Sequence, residues 1–194
     1  EWRTSVRRVA VQPDGKILAV GVFNVVNNSL RDSIVRFNAD GTLDTSFNPP
    51  ALARFTGNSY LEIAALALQA DGKILIGGNF VTTGTVRTSA LARLNADGSL
   101  DPTFNTNQTS QVIGGTVFDI DVATDGKIVV SGNINASGRT EVARLFSNGT
   151  LDTSFNPALP QTGDPTGLDV LVQPDGKVLI STDYQSGNEM MFRL

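Results

Sequence analysis

The residues best suited to chemistry in this chain are a repeated Asp-Gly-Lys, a recurring Arg, an oxygen-rich loop and one pair of aspartates. Asp-Gly-Lys occurs in "QPDGKIL" (12–18), "QADGKIL" (69–75), "ATDGKIV" (123–129) and "QPDGKVL" (173–179). The chain's only lysines, Lys16, Lys73, Lys127 and Lys177, all sit there, each behind the Gly. Gly followed by Lys suggests a phosphate cradle. A P-loop, however, needs Ser or Thr after the Lys and then a helix. Here Ile or Val follows and opens an apolar run. Pro sets φ for the first central residue of a turn, Asp tolerates the second, and Gly accepts a left-handed third. The triplet therefore reads as a hairpin turn. Its Lys lies at an exposed strand entrance, where pairing with a carboxylate contributes well under about 1 kcal/mol.

The other candidates divide in the same way. Asn38, Asp40 and Asp44 of "NADGTLD" offer oxygens around a Gly, which loosely suits calcium, but the bidentate terminal Glu of an EF-hand is missing. An Asx turn accounts for the same residues. Arg36, Arg93, Arg144 and Arg193 each stand among apolar neighbours. Their planar guanidinium suits the carboxylates of Asp44, Asp101 and Asp152. Phe47, Phe104 and Phe155 read as core plugs between repeats. Asp119 and Asp121 form the one acidic pair that could serve a hydrolase, two apart on a strand and so about 7 Å apart on one face. Asn27, Asn107, Asn135 and Asn148 open N-x-S/T triplets, read here as turn composition. No residue is assigned to catalysis, to a cofactor or to a metal.

The elements behind these residues repeat. Asp14, Asp71, Asp125 and Asp175 are spaced by 57, 54 and 50 residues. A second marker follows as "NADGTLDTSF" (38–47), "NADGSLDPTF" (95–104) and "SNGTLDTSF" (147–155). A third marker lies between them, "VRF" (35–37), "ARL" (92–94), "ARL" (143–145) and "FRL" (192–194). Before each turn, Val9 and Val11, Leu66 and Leu68, and Ile120 and Val122 alternate with Arg, Ala or Asp, and Val170 and Val172 with Asp169 and Leu171, as in a half-buried strand. A second strand follows the turn, a third ends at the Arg, and the "LDTSF" segment is expected to be a fourth. Four strands in 50–57 residues match a propeller blade. The expectation is an all-β, β-propeller fold with four repeats of about four antiparallel strands, forming a partial or four-bladed ring. One repeat domain spans 1–194, with repeats at about 6–50, 51–105, 106–157 and 158–194, the last truncated. A closed ring would need Glu1–Ser5 as its missing strand, and "EWRTS" does not resemble "LDTSF".

Composition narrows the function. With no His and no Cys, the 194 residues hold no imidazole base, no Ser-His or Cys-His pair, no thiolate site and no disulfide. The net charge of −4 leaves no basic footprint for nucleic acid. The apolar runs are far shorter than the roughly 20 residues of a membrane helix.

"QPDGKIL", the Arg-Leu-Asn strand end and "DGSLDPTF" resemble the delta-60 repeat found in tandem in large bacterial surface and secreted proteins. The resemblance covers nearly the whole chain. It implies a propeller-like array outside the cell, at the bacterial surface or secreted, within a longer polypeptide. Departures are "SNG" (147–149) for "ADG", and "STDYQSGNE" (181–189) where a "GGN" strand end belongs. The resulting expectation is a non-enzymatic structural or adhesive module acting by protein–protein association, either self-association or contact with neighbouring repeats. The alternative is a glycan- or peptide-binding propeller, with calcium as a stabiliser. Its ligand would meet the loops that differ between copies, at 24–33, 81–89, 135–141 and 185–189, which carry Arg31, Arg87 and Arg139.

Overall fold

The computed structural model describes residues 4–54, 61–83, 88–104, 114–135, 141–157, 165–184 and 189–194. Each Asp-Gly-Lys turn joins the first two strands of an antiparallel sheet, and four such sheets follow one another. Blade 1 is β1 (Ser5–Val11), β2 (Ile17–Val22) and β5 (Ile34–Phe37), with a small ribbon of β3 (Val25–Val26) and β4 (Ser29–Leu30) between the last two. Blade 2 is β7 (Glu62–Leu68), β8 (Ile74–Thr82) and β9 (Ser89–Leu94), with β6 (Leu52–Ala53) paired to the far end of β8. Blade 3 is β10 (Gly114–Val122), β11 (Ile128–Asn135) and β12 (Val142–Leu145). Blade 4 is β13 (Pro165–Val172), β14 (Val178–Tyr184) and β15 (Glu189–Arg193). The described residues contain no helix, so the chain is all-β, and its successive blades form a partial propeller.

The fourth expected strand shrinks to a single bridge in each copy, Phe37 with Leu43, Leu94 with Leu100 and Leu145 with Leu151. The reason is the aspartate that follows. Asp44 Oδ1 accepts from Ser46 N (2.9 Å) and Ser46 Oγ (2.6 Å), which closes a turn and pulls the chain off the sheet. Asp101 and Asp152 do the same with Thr103 and Ser154.

A recurring glycine shapes the first strand. Opposite Gly21, Gly78 and Gly132 the register slips by one residue, between Val6 and Arg8, Ile63 and Ala65, and Val117 and Asp119. A Cβ on those glycines would lie 2.1, 2.2 and 2.1 Å from the carbonyl oxygens of Ser5, Glu62 and Thr116. The bulge therefore requires glycine on the facing strand. In blade 4 the same position is Thr182, and the bulge moves to between Pro165 and Gly167. The departure from "GGN" in the sequence thus has a backbone consequence.

Successive blades pack face to face, and the middle strands of blades 2 and 3 are apolar toward both neighbours. Leu18, Val20, Ile34 and Phe47 of blade 1 form one core with Ile63, Ile74, Ile76 and Phe80 of blade 2. Leu75, Leu91 and Phe104 continue into blade 3 through Val117, Ile128 and Val130. Val129, Val142 and Phe155 meet Val170, Val178 and Ile180 of blade 4. The three phenylalanines are the core plugs that their sequence context predicts.

One burial expectation fails in a single copy. Leu66, Leu68, Ile120, Val122, Val170 and Val172 pack against the preceding blade. Val9 and Val11 are instead 61% and 65% exposed. The strand is present, but no described blade stands in front of it. Ser5 opens β1 and pairs with Val22, so it does not serve as a closing strand for blade 4, while residues 1–3 lie outside the described part. No described helix is long and apolar enough to cross a membrane.

Candidate functional site

The repeated chemistry-bearing residues come together between blades. Arg36 Nε donates to Asp44 Oδ2 at 2.8 Å, Arg93 to Asp101 at 2.8 Å and Arg144 to Asp152 at 2.8 Å, the pairing expected from the sequence. Each guanidinium lies over its own phenylalanine, Phe47, Phe104 or Phe155, 4.6 Å from the ring centre. The same Arg reaches out of its repeat. Arg36 Nη1 donates to the Ala96 carbonyl in the next blade, and Arg93 Nη1 donates to the Ser147 carbonyl at 2.6 Å. Lys16 and Lys73 close the cluster by reaching Asp44 Oδ2 (3.0 Å) and Asp101 Oδ2 (2.6 Å). Motifs separated in sequence are therefore parts of one joint.

The aspartates are tuned by these contacts. The Ser46 hydroxyl holds Asp44 well below the usual carboxylate range, and Lys16 and Arg36 add to it against the opposing effect of burial. Burial pushes Asp101 upward, but bonds from Lys73 and Thr103 and the charge of Arg93 outweigh it and leave it lowered. Asp152 is lowered chiefly by Ser154, with Arg144 contributing.

The Asp-Gly-Lys segment forms the expected turn and holds its own polar groups. Gln12 N donates to the Lys16 carbonyl (2.8 Å), Gly15 sits at φ 82°, and Lys16 N donates to Asp14 Oδ1 (3.1 Å). The amide that would meet a phosphate is thus already bonded. Both carboxylates considered for calcium are also engaged. Asp40 Oδ1 accepts from Thr42 N and Oγ1, Asn38 Nδ2 donates to Thr42 Oγ1, and Asp44 belongs to the joint. No metal-holding cluster of acidic side chains occurs among the described residues.

The aspartate pair also works between blades. Asp119 Oδ2 accepts from Val170 N at 3.0 Å, and Asp121 Oδ2 from Val172 N at 2.6 Å, so both carboxylates hold the inner strand of blade 4. Burial raises Asp119, against the pull of the Val170 amide and of Arg8. Arg8 Nη2 lies 3.6 Å from Asp119 and 3.3 Å from Asp169, which ties the inner strand of blade 1 to blades 3 and 4. Sequence spacing found the pair but gave no sign of the facing amides or of Arg8.

A cleft and a hollow lined by described residues lie beside the joints. A cleft of about 530 Å³ between blades 1 and 2 is lined by Phe23, Asn24, Asp32, Leu52, Arg54 and Leu61, among others. Asn24 and Asp32 belong to the variable 24–33 loop, where Asn27 and Asn28 take left-handed conformations. The Arg31 guanidinium, from the same loop, donates to the neighbouring Leu30 carbonyl (2.7 Å), while Arg87 and Arg139 lie outside the described residues. A hollow of about 240 Å³ separates blades 3 and 4 and is lined by Lys127, Arg144, Pro174 and Asp175.

Stacked three-stranded blades, each locked to the next by an Arg-Asp-Phe joint, define a β-propeller repeat protein. The chain belongs to the β-propeller family described as "Domain of unknown function (DUF5122)", which matches residues 12–47, 69–104 and 123–155, more than half of its length. Each match runs from the hairpin turn to the phenylalanine plug, the span of one joint. No curated protein matches the chain. Among solved structures, PorZ, an essential bacterial surface component of the type-IX secretion system of Porphyromonas gingivalis, aligns with a TM-score of 0.50 and 18% identity, over 97% of this chain and 26% of PorZ. A protein of unknown function from Dyadobacter fermentans aligns with a TM-score of 0.51 and 13% identity, over 96% of this chain and 59% of the other. A streptogramin B lyase structure aligns with a TM-score of 0.46 and 13% identity, over 97% and 54%. The chain thus spans between about a quarter and three fifths of these structures, and its likeness to the first two is one of fold.

Proposed function

We propose that the chain is a non-enzymatic structural or adhesive repeat module of delta-60 type, belonging to a bacterial surface or secreted protein and acting by protein–protein association. The observation that carries this reading is the exposed front of blade 1. Val9 and Val11 are 61% and 65% exposed at positions where every later blade packs against its predecessor. An apolar blade face of this kind seeks another blade. Engagement of the recurring charged residues inside the joints supports a scaffold over a catalyst. The extracellular setting rests on the repeat resemblance, and the surface component PorZ shares the fold.

Sedimentation velocity over a range of concentrations tests the association. The wild-type chain should form reversible dimers or larger species, and Val9→Glu with Val11→Glu should shift it to monomer with the fold retained. A monodisperse monomer at every concentration would contradict the reading.

A second reading is favoured by the 530 Å³ cleft at the variable loop, where Asp32 and Arg54 offer both charges beside the Phe23 and Leu61 side chains. Such a mixture of apolar wall and few polar groups suits a glycan or peptide. A glycan and peptide array should then show binding that Asp32→Asn abolishes. Melting with and without a chelator checks the accompanying role of calcium, and an unchanged melting point would remove it.

A further inference from the structure

Blades 1, 2 and 3 each carry, beside their third strand, a segment of N-x-D-G-x-L-D-x-S/T-F type or its "SNG" variant. The outer edge of blade 4 presents the groups that receive this segment elsewhere, and they face other partners or solvent. Arg193, aligned with Arg36, Arg93 and Arg144, is turned onto Gln173 Oε1 (2.8 Å) and Asp175 Oδ2 (3.2 Å), with its side chain 53% exposed. Met191, aligned with the buried Ile34, Leu91 and Val142, is 73% exposed. Arg144 holds Asp152 through Nε, and beyond it lies the 240 Å³ hollow. At the two earlier joints the corresponding Arg instead grips the Ala96 or Ser147 carbonyl of the incoming turn.

We infer that this surface is a docking site for one further copy of that segment, a peptide of N-x-D-G-x-L-D-x-S/T-F chemistry. The three seated copies supply the pattern of contacts. The peptide's second aspartate takes Arg193 from Gln173, its phenylalanine covers the Arg193 guanidinium and Met191, and a carbonyl of its first turn enters the hollow to meet Arg144. A folded second copy of the chain does not fit this role, because its own segments are occupied in their blades. The inference deepens the reading of the chain as a blade-joining scaffold and rests on it.

The test uses the whole 194-residue chain and a fluorescently labelled peptide with the sequence of Asn38–Phe47, followed by anisotropy. Saturable one-to-one binding is expected. Arg193→Ala, at a half-exposed site, should keep the fold and weaken binding roughly tenfold, the equivalent of about 1.4 kcal/mol. Peptides with Asn at the Asp44 position or Ala at the Phe47 position should lose a similar factor. As a second measurement, the chain extended by these ten residues should melt higher than one extended by a scrambled sequence. No saturable binding up to about 1 mM would overturn the inference, and so would variant peptides binding as well as the parent. Association in sedimentation without peptide binding would overturn this inference alone. Peptide binding by a chain that sediments as a monomer would uphold it and remove self-association.

Discussion

The joint between blades 2 and 3 and the joint between blades 3 and 4 are built from the same residues with different results. At the first, Asp101 receives both Arg93 and Lys73, and Arg93 also grips the Ser147 carbonyl. At the second, Asp152 receives Arg144, while Lys127 turns back to Asp125 at 3.0 Å. The guanidinium side chains are 8% exposed at the first and 23% at the second. The difference lies in what comes from the neighbour. The closed joint receives a turn from the following repeat, and the open one faces a hollow. The lesson is that Asp-Gly-Lys, Arg and "LDxSF" form a device that acts between repeats, so its completeness depends on the next repeat's sequence.

Substitution of the plugs should give the largest contrast. Phe104→Ala should lower stability by about 3–5 kcal/mol, the usual cost of emptying a buried aromatic site. Phe155→Ala, at the open joint and already 9% exposed, should cost clearly less. Urea midpoints for the two variants check the order, and equal losses would break the comparison.

The acid partner comes next. Asp101→Asn leaves Arg93 and Lys73 without their carboxylate in a buried setting, at a cost of about 3 kcal/mol. Asp152→Asn strands one partly exposed Arg and should cost less. The same carboxylates set a pH dependence. Their native values are lowered, so their stabilisation is full above the ordinary carboxylate value near 3.9 and is lost as pH falls below it. Partly buried Asp119 and buried Glu141 are raised, mainly by loss of water around them, and act in the opposite sense, since their ionisation costs stability as pH rises. Melting between pH 2 and about 6 should show the acid loss, reduced in Asp101→Asn by the share of that one carboxylate.

The smallest contrast concerns the lysines. Lys73→Met should cost about 1 kcal/mol, because its carboxylate partner is buried, while Lys127→Met should cost close to 0 for its exposed pair. Equal effects would mean that the lysines are surface groups in both joints.

Much of this was legible in the sequence. Repetition at fixed spacing gave the blades, because each hairpin needs its own turn residues and each middle strand its own apolar run. The Arg–Asp pairing followed from complementary types recurring together, and the phenylalanine plugs followed from their context. What the sequence hid depends on the neighbour. Nothing local to Val9 and Val11 distinguishes them from Leu66 and Leu68, yet only the latter meet a preceding blade. The turn after Leu43 is different, because the Asp44-x-Ser46 spacing that makes it is local, although it reads as part of a strand. Asp119 and Asp121 looked like a catalytic pair because the amides that they satisfy lie 51 residues further on. The one local departure with a visible structural effect was Thr182 in place of glycine, which displaced the bulge.

Native-state amide hydrogen exchange tests the joint most directly, because it reads the stability of each blade separately. The account predicts the slowest exchange in β8, between two closed joints, slower exchange in β11, with one closed joint, than in blade 4, and markedly faster exchange in β14 and β15. It also predicts that Phe104→Ala will speed exchange in blades 2 and 3 together. Blade 4 amides as slow as those of β8, or an effect of Phe104→Ala confined to blade 2, would contradict it.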